Sequence, residues 1–131
     1  MAYYRFVSDA FRGLASPVYQ QRDFTYIDDI VAGVIAALDR PHRVYNLGND
    51  PPNTLNRMIE LIESASGRSV NRDVLPVQPV DVPAIWADIS ESRRDPSFVP
   101  RVSLEEGISR FVGWYRDYAK VRGGLWSRQT V

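Results

Sequence analysis

Arg22 opens the stretch of this sequence with the clearest capacity for chemistry, Arg22-Asp-Phe-Thr-Tyr-Ile-Asp-Asp-Ile30. A guanidinium just before a helix N-terminus and beside aromatics suits a phosphate or diphosphate, because it offers a planar, permanently charged fork. The plainer use is a surface ion pair with Asp23 or Asp28, which contributes little. Physics alone ranks that plainer use first. A second stretch, Leu75-Pro-Val-Gln-Pro-Val-Asp-Val-Pro-Ala84, is stiffened by three prolines. Such a loop holds Gln78 and Asp81 at low entropic cost, which suits contacts to a ribose or base. Its plainer use is a crossover in which Asp81 caps a turn.

Other chemistries are excluded by what the chain lacks. There is no Cys among its 131 residues, which removes disulfides, thiolate metal sites and Cys nucleophiles. One His, His42, sits in a Pro-Arg turn without an evident orienting partner, so it reads as a loop residue rather than a catalytic base. Only Lys120 is a lysine, which leaves almost no room for a mechanism needing a catalytic Lys. No Gly-x-Gly-x-x-Gly turn exists to hold a dinucleotide pyrophosphate. Sixteen basic and sixteen acidic residues cancel, so no basic field marks the chain for nucleic acid or an anionic membrane. Apolar runs of a few residues cannot span a bilayer. The expectation is a cytoplasmic, soluble domain with no nucleic-acid or membrane partner and no metal.

The elements that must position Arg22, Gln78 and Asp81 follow from periodicity. Tyr3, Phe6, Val7, Ala10, Phe11 and Leu14 form a helical stripe, ended by residues 13–17. Residues 22–27 alternate as a short extended piece. Thr25-x-x-Asp28 resembles a capping box for a helix with Ile27, Ile30, Val31, Val34, Ile35 and Leu38 on its inner face. Residues 44–47 read as a strand closed by a turn at 48–52, and 74–78 as another short strand. Thr54 caps a third helix, with Leu55, Met58, Ile59 and Ile62 inward and Gly67 as its stop. Residues 90–95 make a helical turn or two. Ser103-x-x-Glu106 opens a last helix with Leu104, Ile108, Phe111, Val112 and Tyr115 inward, ended by Gly123-Gly124. Trp86 and the C-terminal aromatics read as core. The fold class is α/β: about four amphipathic helices and two or three short strands, without a complete Rossmann sheet. Residues 1–124 form the domain and 125–131 a flexible tail.

Arg22-Asp-Phe-Thr-Tyr-Ile-Asp-Asp-Ile30, Tyr45-Asn-Leu-Gly-Asn49 and the Leu75–Pro83 stretch occur in that order, followed by Trp86-Ala-Asp88 and Ser103-Leu-Glu-Glu-Gly107. Together they resemble the C-terminal part of NAD-dependent nucleotide-sugar epimerases, of the extended short-chain dehydrogenase/reductase superfamily. The Gln-Pro-x-Asp-Val pattern is similar to that of the UDP-glucuronate (UDP-hexuronate) 4-epimerase branch. The resemblance implies a substrate-binding portion in which Arg22 meets the substrate diphosphate and Gln78 and Asp81 lie beside the uridine. It implies a UDP-sugar as ligand. The family's NAD loop and Tyr-x-x-x-Lys pair lie in an N-terminal Rossmann half. This sequence has neither, since Arg116 precedes Lys120 by four positions. The expectation is therefore no catalytic residue and no cofactor in this chain, with NAD belonging to the full-length family. Apolar stripes meant for the missing half would drive self-association. A stand-alone interaction module or gene remnant with an eroded ligand site is the alternative, favoured by Val80, which stands where the family carries Gly.

Overall fold

The computed structural model describes residues 2–18, 21–40, 44–49, 53–74, 84–95 and 98–126. Its order is α1 (Ala2–Arg12), β1 (Ala15–Val18), β2 (Gln21–Arg22), α2 (Ile27–Ala37), α3 (Leu55–Ser66), β3 (Asn71–Val74), β4 (Ala84–Ile85), α4 (Ser90–Arg94) and α5 (Leu104–Trp126). The α/β class stands, and no complete sheet forms among the described residues. β1 pairs with β3 and β2 with β4, both in parallel. Parallel neighbours require long crossovers, and α3 lies on the path between β1 and β3.

Three helices build the core. Phe6, Val7 and Ala10 of α1, Met58, Ile59 and Ile62 of α3, and Leu104, Ile108, Val112 and Tyr115 of α5 are buried together. Their spacing of three and four residues puts each set on one helical face. Thr54 caps α3, its hydroxyl accepting from the Arg57 N–H at 3.1 Å, and Gly67 ends it at φ 68°. Ser103 caps α5 in the same way, accepting from the Glu106 N–H at 3.2 Å. At the far end of α3, Arg116 donates to the carbonyls of Ala65 and Ser66 at 2.8 and 2.9 Å. These are carbonyls a helix end leaves without a partner.

Several expectations need correction. α1 stops at Gly13, but residues 15–18 are strand β1 rather than a plain terminator, and Leu14 is exposed. Of the extended piece 22–27, only Arg22 lies in a strand, because Asp23 bonds away from the ladder. The capping box at Thr25 does not form: the α2 N-cap is Tyr26, and the Thr25 hydroxyl donates to Asp23 at 3.1 Å. Residues 44–47 belong to no strand among the described residues, since a strand needs a neighbour to pair with. Of the second short strand expected at 74–78, only Val74 is among the described residues; it closes β3, Asn71–Val74, which runs in register with β1. α5 runs through Gly123 and Gly124 to Trp126. A helix-interior glycine costs only about 1 kcal/mol, so a long helix absorbs it. Trp86 is exposed, and Trp114 is half-exposed.

The largest departure is α2. Ile27, Val31, Val34, Ile35 and Leu38 are 49–73% exposed, while Asp29 and Gly33 are buried. Asp29 and Gly33 sit four residues apart on the face opposite that stripe. The helix therefore turns Asp29 and Gly33 inward and its apolar stripe outward. Asp29 accepts the N–H groups of Arg101 and Val102, both at 3.0 Å. Gly33 sits against Phe98 and Leu47.

Candidate functional site

β2 is two residues long, and its position is set from its C-terminal side. Gln21 pairs with Ala84 and Arg22 with Ile85. Ala84 and Ile85 directly follow the proline-rich stretch, so the β2–β4 ladder brings the Arg22 backbone beside the end of the segment carrying Gln78 and Asp81. Gln78 and Asp81 themselves lie outside the described residues, as does His42. Arg22 is fixed by its backbone in β2.

Asp23 ties the neighbourhood together. One carboxylate oxygen accepts from the Asn49 N–H at 2.9 Å and the Thr25 hydroxyl at 3.1 Å. The other accepts from the Ala87 N–H at 3.3 Å. Asn49 returns a bond, its side-chain amide donating to the Phe24 carbonyl at 3.2 Å. Gly48 is buried in this knot. A Cβ there would collide with the Asp23 carboxylate and come within 2.6 Å of the Ala87 Cβ. Three chain segments meet on a single side chain.

Sequence reasoning missed this role for Asp23, treating it as a surface partner for Arg22. The available signal was an acceptor at Asp23 and a glycine at Gly48 beside Asn49, but sequence alone gives no reason to bring them together. Asp28, the other expected partner of Arg22, lies 3.6 Å from Arg110.

Next to this knot, residues 24–27 and the first half of α5 line a half-open pocket of about 420 Å³. Phe24, Tyr26, Ile27, Phe111 and Trp114 line it, so its walls are mostly apolar. The Arg110 guanidinium lies over the Tyr26 ring, 5.4 Å from its centroid, and donates to Glu106 at 2.6 Å. Hydrogen bonding to Tyr26, then the charge of Glu106, pushes the Arg110 pKa above its ordinary value. Gly107 lets Tyr26 approach α5, since a Cβ there would stand 3.0 Å from the ring. Arg110 is thus occupied by its own neighbours.

The electrostatics elsewhere are those of a surface. Asp88 accepts from the Ser90 hydroxyl at 2.6 Å and the Ser90 N–H at 2.9 Å, and these bonds hold its carboxyl below the usual range. Among the described residues, no group of three or more His, Asp or Glu side chains could hold a metal ion. No described helix is long and apolar enough to cross a membrane. The junction between β2 and α2, Asp23-Phe-Thr-Tyr26, contains no glycine and is filled by the Asp23 carboxylate's own bonds. A dinucleotide pyrophosphate needs close backbone approach at such a turn. These residues do not fit one.

No protein-family model matches the chain. The UDP-glucuronate 4-epimerase of Thermodesulfobacterium geofontis is 41% identical over 101 residues, covering 75% of this chain and 31% of that protein. UDP-glucuronate 4-epimerase 6 of Arabidopsis thaliana is 33% identical over 141 residues, covering 90% of this chain and 31% of the relative. Among solved structures, UDP-glucuronic acid 4-epimerase from Bacillus cereus, in complex with UDP-glucuronic acid and NAD, superposes with a TM-score of 0.81 at 28% identity. It covers 90% of this chain and 40% of that one. The chain spans 31–43% of the length of the curated relatives it matches first. In sequence and in fold the chain matches a portion of the nucleotide-sugar epimerases of the extended short-chain dehydrogenase/reductase type.

Proposed function

We propose that this chain is the C-terminal, UDP-sugar-binding portion of a UDP-glucuronate 4-epimerase, with residues 1–124 as its domain, acting in the cytoplasm. Arg22 grips the diphosphate, and Gln78 and Asp81 contact the uridine and its ribose. The observation that carries this reading is the β2–β4 ladder, which sets the Arg22 backbone beside the residues that follow Gln78 and Asp81. The similarity of the chain to proteins named as UDP-glucuronate 4-epimerases supports the choice of sugar nucleotide.

The chain binds without turning over. Epimerisation at C4 needs a hydride acceptor and a positioned base. The sequence has no Tyr-x-x-x-Lys pair, and the β2–α2 junction does not suit NAD. Contacts from Arg22, Gln78 and Asp81 hold ground state and transition state alike, which lowers no barrier. A dinucleotide-binding portion must supply the chemistry. The outward apolar stripe of α2 is the face it would cover, because the relatives carry more than half their length outside the region matched here.

The test is prolonged incubation of the purified chain with NAD and UDP-glucuronate, followed by chromatographic separation of the sugar nucleotides. No epimer is expected. Epimer forming in proportion to the protein, with full-length enzyme excluded, overturns the reading.

The α2 stripe also favours a second reading, an interaction module that keeps the fold and has lost the ligand. Failure of the chain to bind UDP at all would select it.

A further inference from the structure

We propose that Asp23 is the positioning residue of this site: its carboxylate holds the Arg22 strand, the Gly48-Asn49 segment and the segment after β4 in one fixed arrangement. The proposal rests on the reading of Arg22 as the diphosphate contact. It rests equally on geometry independent of that reading.

Asp23 directly follows β2, so whatever fixes Asp23 fixes the end of that strand. Among the described residues the β2–β4 ladder has two positions on each strand. Bonds from outside the ladder add to its rigidity. Asp23 supplies them by accepting from Asn49 N–H on one oxygen and from Ala87 N–H on the other, at 2.9 and 3.3 Å. The Ala87 bond fixes the chain two residues past β4, the side opposite Gln78 and Asp81. The Asn49 bond anchors the same carboxylate to the segment at Gly48, where there is no room for a Cβ. Thr25 takes the remaining room on the first oxygen and orients the group, donating at 3.1 Å. An ionised carboxylate is acceptor-only, so it can satisfy these three donors at once. An amide cannot, because its nitrogen would face a donor.

Gly48 is the second half of the device. Any side chain there would push Asp23 and Ala87 apart, since both stand inside contact distance of the missing Cβ. The pair therefore sets how far the Arg22 strand sits from the segment that leads back to Gln78 and Asp81.

The test compares Asp23→Asn with Asp29→Asn, a buried carboxylate that makes two backbone bonds of similar length on the other side of α2. Both variants are checked for a folded circular dichroism spectrum. Titration with UDP is expected to show at least a tenfold loss of affinity in Asp23→Asn, and a change within twofold in Asp29→Asn. Equal affinity in Asp23→Asn and wild type overturns the proposal, and so does an equal loss in both variants. Amide hydrogen exchange is the second measurement and needs no ligand. Exchange at residues 22 and 85–87 is expected to quicken at least tenfold in Asp23→Asn and to stay unchanged in Asp29→Asn. If wild type binds no UDP, the ligand reading fails while exchange still decides the role of Asp23. Unchanged exchange at these amides overturns it.

Discussion

Gly33 lies against Phe98 so closely that a Cβ on the glycine would stand 2.8 Å from the ring's Cδ2, and 2.9 Å from both methyls of Leu47. With Asp29 one turn earlier, this contact is how α2 is attached. Gly33→Ala adds one methyl where none fits. Overpacking of this kind costs about 1–3 kcal/mol, against a gain of about 1 kcal/mol from the better helix former. A net loss of stability is expected in urea unfolding. Unchanged or increased stability would show that α2 sits more loosely than the contact implies.

Asp29→Ala removes the acceptor for two backbone N–H groups, those of Arg101 and Val102. A buried donor left without a partner costs about 1–3 kcal/mol. Because both bonds are only part-buried, a loss of about 1–3 kcal/mol is expected for the pair of them, with Asp29→Asn less severe because one acceptor remains. Equal stability of Asp29→Ala and wild type would contradict the attachment described.

The outward stripe of α2 predicts behaviour in solution. Val34 and Ile35 are 50 and 61% exposed, so replacing both by Ser should change unfolding stability little, about 0.5 kcal/mol or less for each surface site. The same change should sharply reduce self-association, which an apolar patch of several hundred Å² promotes. Light scattering over a concentration series checks this. A monomer at every concentration for wild type would count against it.

That stripe also marks the boundary of what the sequence could tell. Periodicity identified the helix and its apolar face, since Ile27, Val31, Val34, Ile35 and Leu38 repeat at helical spacing whatever lies against them. It could not say on which side the rest of this chain sits. Asp29 and Gly33 decided that, through a hydrogen bond to a loop 72 residues away and a close contact with Phe98. Local signals fared better. Thr54 and Ser103 cap their helices as the sequence suggests, because a cap involves residues three apart. The three-helix core was legible for the same reason. Parallel pairing was not: β1 contains Pro17 and pairs with Asp73, a match no local pattern encodes. Of the candidate site, the motif around Arg22 was visible, whereas the role of Asp23 depended on contacts 26 and 64 residues distant.

Acid should weaken the start of α4 through Asp88. Its folded carboxyl titrates below the ordinary 3.8, because the Ser90 hydroxyl and then the Ser90 N–H bond to the ionised form. A lowered folded pKa gives stability that is present above the unfolded value and is lost as pH falls through the folded one. Asp88→Asn should therefore differ from wild type at neutral pH and converge with it below that range. The difference is small, since the group is exposed. A gap between the two that persists undiminished in strong acid would show that Asp88 acts through packing instead.

Arg116→Ala should shorten α3 from its C-terminal end, because the guanidinium bonds the Ala65 and Ser66 carbonyls from α5. With the side chain exposed, the loss should be about 1 kcal/mol rather than the full value for a charged hydrogen bond. Faster hydrogen exchange confined to the last turn of α3 is the expected signature. Uniform exchange across α3 would contradict the capping role.

The central claim is that Arg22 holds the diphosphate of a UDP-sugar on a chain that cannot transform it. Calorimetric titration of UDP-glucuronate into wild type, Arg22→Lys and Arg22→Ala tests it most directly. Saturable binding by wild type is expected, weaker in Arg22→Lys because a point charge cannot replace a bidentate fork. Arg22→Ala should lose about 1.5–3 kcal/mol, roughly a ten- to hundredfold drop in affinity. Equal affinity in wild type and Arg22→Ala, or no binding by wild type, would contradict the account.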